Sequence, residues 1–330
     1  MKHWFKKIYS RIPDMSIKKI NAEQLRAELR SSHDLFICST SYEDRCKSIS
    51  NLISDSKIEA LICHNPLTQQ AEENKVWLTS NFKKHKLAEV FSDRPIESAD
   101  NISKRLDESD IGSKTKVLID VTTFTHELLL ILLKLISIRN PEWRRVVSYA
   151  YTTAKEYSIN EKNPNEKWLS KGIGEIRSIL GYPGQLSPTR RNHLIVLVGF
   201  ETERALKLIE TYEPDVLSLG LTTVEESVNE AHYAINERRS QHLLSYLPRY
   251  EKFNFSCIDP FKTKEELIKQ HNLFKDCNLI IAGLNNKLST LGIGFMALEN
   301  DEVQLCYATA NQYNMNGYST PGDDFYLISY

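Results

Sequence analysis

The sequence predicts an α/β protein of two similar halves with mostly parallel sheets, related by an internal duplication. Three observations carry this prediction. The apolar run Leu35-Phe36-Ile37-Cys38 leads into Ser41-Tyr42-Glu43-Asp44-Arg45, and much later Leu194-Ile195-Val196-Leu197-Val198 leads into Gly199-Phe200-Glu201-Thr202-Glu203-Arg204. A second pair follows the same plan. Val117-Leu118-Ile119-Asp120 runs into Thr122-Thr123-Phe124-Thr125-His126 and an apolar helix, and Leu279-Ile280-Ile281-Ala282 runs into Gly283-Leu284-Asn285-Asn286-Lys287 and a glycine-containing apolar helix. The separations of Arg45 from Arg204 and of Thr123 from Lys287 agree to within a few residues. A repeat this long is a duplicated domain rather than a solenoid unit.

Taken in order, residues up to about Arg30 read as helical, with a basic start at Lys2, Lys6, Lys7, Arg11, Lys18 and Lys19. A strand follows over 35–38. Ser41-x-x-Asp44 has the spacing of a capping box and predicts a helix carrying Ile49 and Ile53. Strands are predicted over 60–63, 88–91, 117–121 and 146–151, with helices over 71–84 and 101–106 between them. The apolar stretch 128–138 is too short to span a bilayer and predicts a helix surrounded by protein. Residues 153–192 change character: Asn163-Pro164-Asn165, Gly181-Tyr182-Pro183-Gly184 and Ser187-Pro188 are turn chemistry. The inter-domain connection is placed there, with Ile173, Ile176, Ile179 and Leu180 indicating strands or an extended arm within it. The second half then restarts, with strands over 194–198, 216–221, 253–257, 279–282 and 303–308. Its helices are predicted over 203–212, 225–247 with a break near Ser240, 264–274 and 288–298. A short strand over 325–328 ends the chain. Alternation at this spacing predicts right-handed crossovers and parallel pairing. The expected divisions are 1–152, 153–192 and 193–330.

Composition narrows the function classes. The 330 residues are 41% apolar and 26% charged, with a net charge of −1. No basic excess marks the whole chain as a nucleic-acid binder, and nucleic acid stays an open partner only for the basic N-terminus. No apolar h-region follows that start, and no stretch is long enough to cross a membrane. Cys38, Cys46, Cys63, Cys257, Cys277 and Cys306 form no C-x-x-C pair, which argues against zinc and against a disulfide scaffold. They read as reduced thiols of a cytoplasmic protein, and no metal site is expected.

The polar turns sit where open parallel sheets bind ligands, at the carboxyl ends of strands. Around Thr40, Ser41 and Arg45, backbone N–H groups at a helix start can receive an anion, with Arg45 pairing a phosphate. Equally, Ser41 caps the helix and Glu43 and Asp44 favour its positive end. Glu201, Glu203 and Arg204 occupy the matching turn: either the acids bind a ribose hydroxyl, or Arg204 pairs with Glu201 or Glu203 and fixes the turn. Asp120, Thr122, Thr123, Thr125 and His126 form the most polar cluster attached to a buried strand. His126 can serve as a general base there, or the cluster is a threonine cap with a satisfied histidine. Lys287 stands at a helix start, where a lysine is unfavourable unless an anion joins it. No P-loop, G-x-S-x-G, H-E-x-x-H or zinc-deaminase pattern is present.

A strand ending in Asp-x-Thr-Thr before a helix, and one ending in Asn-Asn-Lys before a helix, resemble the ligand turns of CARF and SAVED domains. These are Rossmann-like modules of bacterial antiviral systems that bind cyclic nucleotide second messengers. The resemblance implies two Rossmann-like halves and makes Thr40, Ser41, Thr122, Thr123, Asn285 and Lys287 ligand-facing. It implies a nucleotide-derived ligand, and output through a partner or effector protein, since no nuclease-like segment is recognised in the chain. Residues 35–44 also resemble the start of a TIR domain, in which an acid further along cleaves NAD. The competing expectation is therefore a nucleotide- or nucleoside-cleaving hydrolase using Glu43 or Glu201 with Asp120 and His126. A third is a protein-interaction scaffold in which both turns are only structural. The cofactor is unknown at this stage.

Overall fold

A computed structural model describes residues 15–29, 33–53, 58–109, 111–163 and 166–330. The basic residues Lys2, Lys6, Lys7 and Arg11, and part of the 163–165 turn, lie outside the described residues.

The first half comprises β1 (Ser16–Ile20), α1 (Ala22–Leu29), β2 (Leu35–Ser39), a 3-10 turn (Asp44–Lys47), α2 (Ser50–Ile53), β3 (Glu59–His64), α3 (Gln69–Asn81), β4 (His85–Glu89), α4 (Pro95–Glu108), β5 (Val117–Asp120), α5 (His126–Arg139), α6 (Trp143–Val146) and β6 (Val147–Tyr157). The two-residue strand β7 (Ser170–Lys171) and the eight-residue strand β8 (Ile176–Pro183) follow. The second half contains β9 (Asn192–Leu197), α7 (Thr202–Tyr212), β10 (Val216–Leu221), α8 (Glu230–Ser245), β11 (Glu251–Asn254), α9 (Pro260–Leu273), β12 (Asn278–Gly283), α10 (Lys287–Glu299), β13 (Gln304–Ala308), β14 (Gln312–Tyr313) and β15 (Ser319–Ser329). Lys18 and Lys19, expected in a helix, lie in the edge strand β1, and α8 runs unbroken through Ser240.

The duplication is visible in strand order. Sheet one runs β1-β15-β6-β5-β2-β3-β4 and sheet two runs β11-β10-β9-β12-β13-β8. Within each, five consecutive strands are parallel and follow the same order, β4-β3-β2-β5-β6 in one and β11-β10-β9-β12-β13 in the other. That is a doubly wound α/β order, with its reversal between β2 and β5 and again between β9 and β12. The α/β class with mostly parallel sheets is as the alternation predicts.

The sheets do not coincide with the expected boundaries. The chain leaves sheet one after β6, and β8 then pairs antiparallel with β13 of sheet two. It leaves sheet two after β13, and β15 pairs antiparallel with β6 and β1 of sheet one. The two crossing connectors pair with each other through β7 and β14. Each set of five parallel strands is thus extended by a strand from beyond the other set. The strands expected within 153–192 are there as β7 and β8, with β8 in the sheet of the second half, and 319–329 belong to the sheet of the first half. A strand-propensity reading cannot see this, because an edge strand finds its partner through space and not along the chain.

The halves pack through their two most apolar helices. Leu129, Ile131, Leu132 and Leu133 of α5 share one core with Leu291, Ile293, Phe295 and Met296 of α10. Gly294 allows this approach, since a Cβ there would lie 2.7 Å from Leu133 Cδ1. Glu127 of α5, itself buried, receives Arg177 of β8 in a two-pronged pair, Nε to Oε1 and Nη2 to Oε2, both at 2.8 Å. This locks the exchanged strand to the neighbouring half.

Candidate functional site

Four turns leave the two sheets at their reversal points: after β2, β5, β9 and β12. All four open onto one cavity, lined among others by Thr40, Arg45, Thr122, His126, Glu201, Arg204 and Lys287. Residues far apart in sequence meet because matched strand ends of both halves face the same space. The cavity holds about 160 Å³. At about 10–15 Å³ per water centre that is on the order of ten waters, or about 300 Å³ of liquid, the lower end of small-molecule pockets.

Both arginines are already matched. Arg45 donates from Nε (3.0 Å) and Nη2 (2.7 Å) to one oxygen of Glu43, and from Nη1 to the Thr152 carbonyl at 3.2 Å. Ser319 of the exchanged strand also donates to Glu43. In the second half Arg204 donates to Glu201 and to the Ala308 carbonyl. Arg45, Arg204 and Glu43 are buried, so each guanidinium needs its counter-charge. Arg45, expected to pair a phosphate, has its charge answered internally by Glu43. The expected capping box does not form. Glu43 turns inward and makes no cap hydrogen bond, Ser41 Oγ accepts from Glu43 N at 3.1 Å, and only a 3-10 turn follows.

Most hydroxyls of the first turns are likewise engaged. Thr40 Oγ1 bonds His64 Nδ1 at 2.9 Å, and Thr122 Oγ1 accepts from Thr152 N at 3.0 Å. Thr123 Oγ1 donates to the Ser39 carbonyl at 2.8 Å, tying the end of β5 to the end of β2. Asn285 Nδ2 does the same in the other half, donating to the Val198 carbonyl at 2.8 Å. Thr123 and Asn285 are matched braces across the two reversal points. Asp120 does not line the cavity. It stands behind it, Oδ1 accepting from Thr122 N at 3.0 Å and Oδ2 buried without a partner.

Two side chains at helix starts are different. Thr125 caps α5 by accepting from Leu128 N, so His126 is its first residue, and His126 Nδ1 bonds Thr290 Oγ1 of α10 at 2.6 Å. Burial, with Lys287 and Arg204 nearby, holds His126 well below the usual imidazole range, so it is neutral at pH 7. Asn286 caps α10 by accepting from Ser289 N, which makes Lys287 the first residue of a 13-residue helix. Burial lowers the Lys287 ammonium to about 8. Among the described residues it has no hydrogen bond and no ion pair, although Glu43 and Glu201 contribute favourably to its field. The cations Arg45, Arg204 and Lys287 outnumber Glu43 and Glu201 by one.

The cavity has an aromatic side that the sequence reading missed. Tyr42 packs edge-on to Tyr318 (5.6 Å between ring centres), Tyr318 edge-on to Tyr157 (6.1 Å), and Tyr157 against His232 (4.7 Å). Tyr157 ends β6 and Tyr318 immediately precedes β15, next to turn-rich connectors. His232 and Asn236 line the cavity from α8. Among the described residues no group of acids, histidines and cysteines is arranged to hold a metal, and all six cysteines are buried and unpaired. No helix among them is long and apolar enough to cross a membrane.

Neither a protein-family model nor a curated protein matches the chain. Among solved structures, the binary complex of leucoanthocyanidin reductase with NADPH from Vitis vinifera is similar at 11% identity, over 81% of this chain and 88% of that chain, with a TM-score of 0.25.

Proposed function

We propose that the shared cavity binds a nucleotide-derived ligand with its phosphate at the start of α10. The observation that carries this is Lys287: in a site where both arginines are neutralised by their own glutamates, it is a cation without a partner among the described residues, placed where helix N–H groups favour an anion. The tyrosine side of the cavity suits a sugar and base. A ligand there would touch turns of both halves, so binding would bias how they pack and a partner protein could read the change. With the resemblance to CARF and SAVED domains, this is the behaviour of a sensor or accessory component in a bacterial antiviral system.

The hydrolase reading is less well served. Glu43 and Glu201 are each held by an arginine, and Asp120 is not in the cavity wall, leaving His126 as the one proposed acid–base residue that both lines the cavity and lacks a counter-charge.

Thermal shift with nucleoside monophosphates tests the proposal. A ligand at a hundredfold over its Kd adds about 2.7 kcal/mol, or roughly 4 °C for one cooperative unit of this length at about 2.1 cal/mol/K of melting entropy per residue. The shift is expected to vanish in Lys287→Ala, to be absent with phosphate-free nucleosides, and to shrink as pH rises through about 8, where the free ammonium loses its proton. Equal shifts in wild type and Lys287→Ala would sink the phosphate seat. Turnover of the bound nucleotide would restore the hydrolase.

A further inference from the structure

Helix α8 is built unusually for a structural helix. Of its 16 residues, the buried ones are His232, Ser240 and Leu243, so a single apolar side chain is buried along its length. An amphipathic helix held only by packing presents an apolar stripe to its neighbours. This one turns His232 and Asn236 inward instead. They are four residues apart and so share a face.

That face is held in place by Arg239, which donates to the carbonyls of Phe200 (2.9 Å) and Lys167 and lies over the Phe200 ring. The polar atoms it carries towards the cavity are unanswered. His232 Nε2 and Asn236 Oδ1 are buried without a hydrogen-bond partner, and so is Arg204 Nε, whose other two nitrogens are engaged. His232 and Arg204 are both more than nine-tenths buried. All three residues line the cavity that Lys287 lines. His232, Arg204 and Tyr157 also line a larger outer cleft of about 1230 Å³, so this wall separates the two spaces.

Buried polar atoms are almost always hydrogen-bonded in folded proteins. Three that are not, on one cavity wall, form a set that a ligand can complete: a fixed donor at Arg204 Nε, an acceptor at Asn236 Oδ1, and a ring nitrogen at His232 that takes either role by tautomer. The Tyr157 ring beside His232 supplies an apolar face. We infer that this wall is where the base of the ligand is read, its edge offering an acceptor to Arg204 and a donor to Asn236, with the ring against Tyr157. The inference rests on the nucleotide reading above and adds to it the residues that set base specificity.

The test compares ribose 5-phosphate with AMP, GMP, CMP and UMP by calorimetry on wild type, Asn236→Leu and His232→Phe. In wild type at least one nucleotide is expected to bind tenfold or more tighter than ribose 5-phosphate. In both variants that ratio is expected to fall towards one, while binding of ribose 5-phosphate and the melting temperature of the unliganded protein do not drop. Removing an unsatisfied buried polar group does not weaken a fold that gains nothing from it, so this pattern separates recognition from scaffolding. A wild-type ratio near one, or a ratio that the variants leave unchanged, overturns the inference while the phosphate seat stands. Failure of every nucleotide and of ribose 5-phosphate to bind overturns both.

Discussion

The carboxyl group of Asp120 illustrates how burial decides what a polar residue can do. It sits at the end of β5 with one oxygen accepting from Thr122 N and the other unpartnered, and burial pushes it up to about 7, against the lowering influence of its Thr122 hydrogen bonds and of Arg45. Its folded value lies above the usual unfolded one of about 3.9. The native state therefore keeps a proton between about pH 4 and 7 that the unfolded chain has lost. Stability from this group is fully present below about 4 and is lost as pH rises through about 7, by roughly 1.4 kcal/mol per pH unit. Asp120→Asn is expected to remove that slope. Urea unfolding at pH 5 and pH 8 should differ less in the variant than in wild type, and the variant should be no less stable at pH 8. Marked destabilisation at pH 8 would instead mean that the charged carboxylate makes a contact the fold depends on.

At the scale of elements, α10 shows how tightly its neighbours approach. Glycine in a helix interior normally weakens it by about 1 kcal/mol relative to alanine. Here two glycines are kept because two different partners come close. A Cβ on Gly292 would lie 2.6 Å from the Pro260 carbonyl oxygen, at the start of α9. A Cβ on Gly294 would meet the tips of Leu133 and Leu130 on α5, at 2.7 and 3.0 Å. Leucine tips can rotate away and a backbone carbonyl cannot. Gly292→Ala is therefore expected to destabilise by about 1–3 kcal/mol, and Gly294→Ala by distinctly less. Chemical denaturation of the two variants checks the order. The reverse order would show that the contact between the halves, rather than the α9–α10 contact, is the stiffer of the two.

Across the whole molecule, the reciprocal loan of β8 and β15 makes the halves one folding unit. β15 places Phe325, Leu327 and Ile328 in the cores around sheet one, all buried. At about 1.5–3 kcal/mol per buried side chain, these three alone contribute about 5–9 kcal/mol, comparable to the net stability of a whole domain. Deleting residues 319–330 is expected to unfold the first half as well as shorten the second, and the full chain is expected to melt in one calorimetric transition. Two separate transitions, or a soluble native first half after the deletion, would contradict this coupling.

The sequence by itself determined the elements and the repeat. Apolar runs such as 117–119 and 279–283 sit in parallel strands, and 126–139 and 287–299 are helices with mostly apolar middles, because strand and helix periodicities are local properties of the chain. It also singled out the turns that meet at the cavity, including Lys287 with its unfavourable place at a helix start. Only the tertiary structure decided which of those residues remain available. Arg45, expected at a phosphate, is neutralised by Glu43; Arg204 makes the pair with Glu201 that the sequence offered as one alternative; and Thr123 and Asn285 are engaged as braces between strand ends. Tyr157, Tyr318, His232 and Asn236 enter the cavity from the end of β6, the approach to β15 and α8, whose positions follow from packing across the chain. The loan of β8 and β15 was equally invisible. A strand's hydrogen bonds are satisfied by whichever edge lies beside it in space, and that neighbour is fixed by packing over long sequence distances rather than by local pattern.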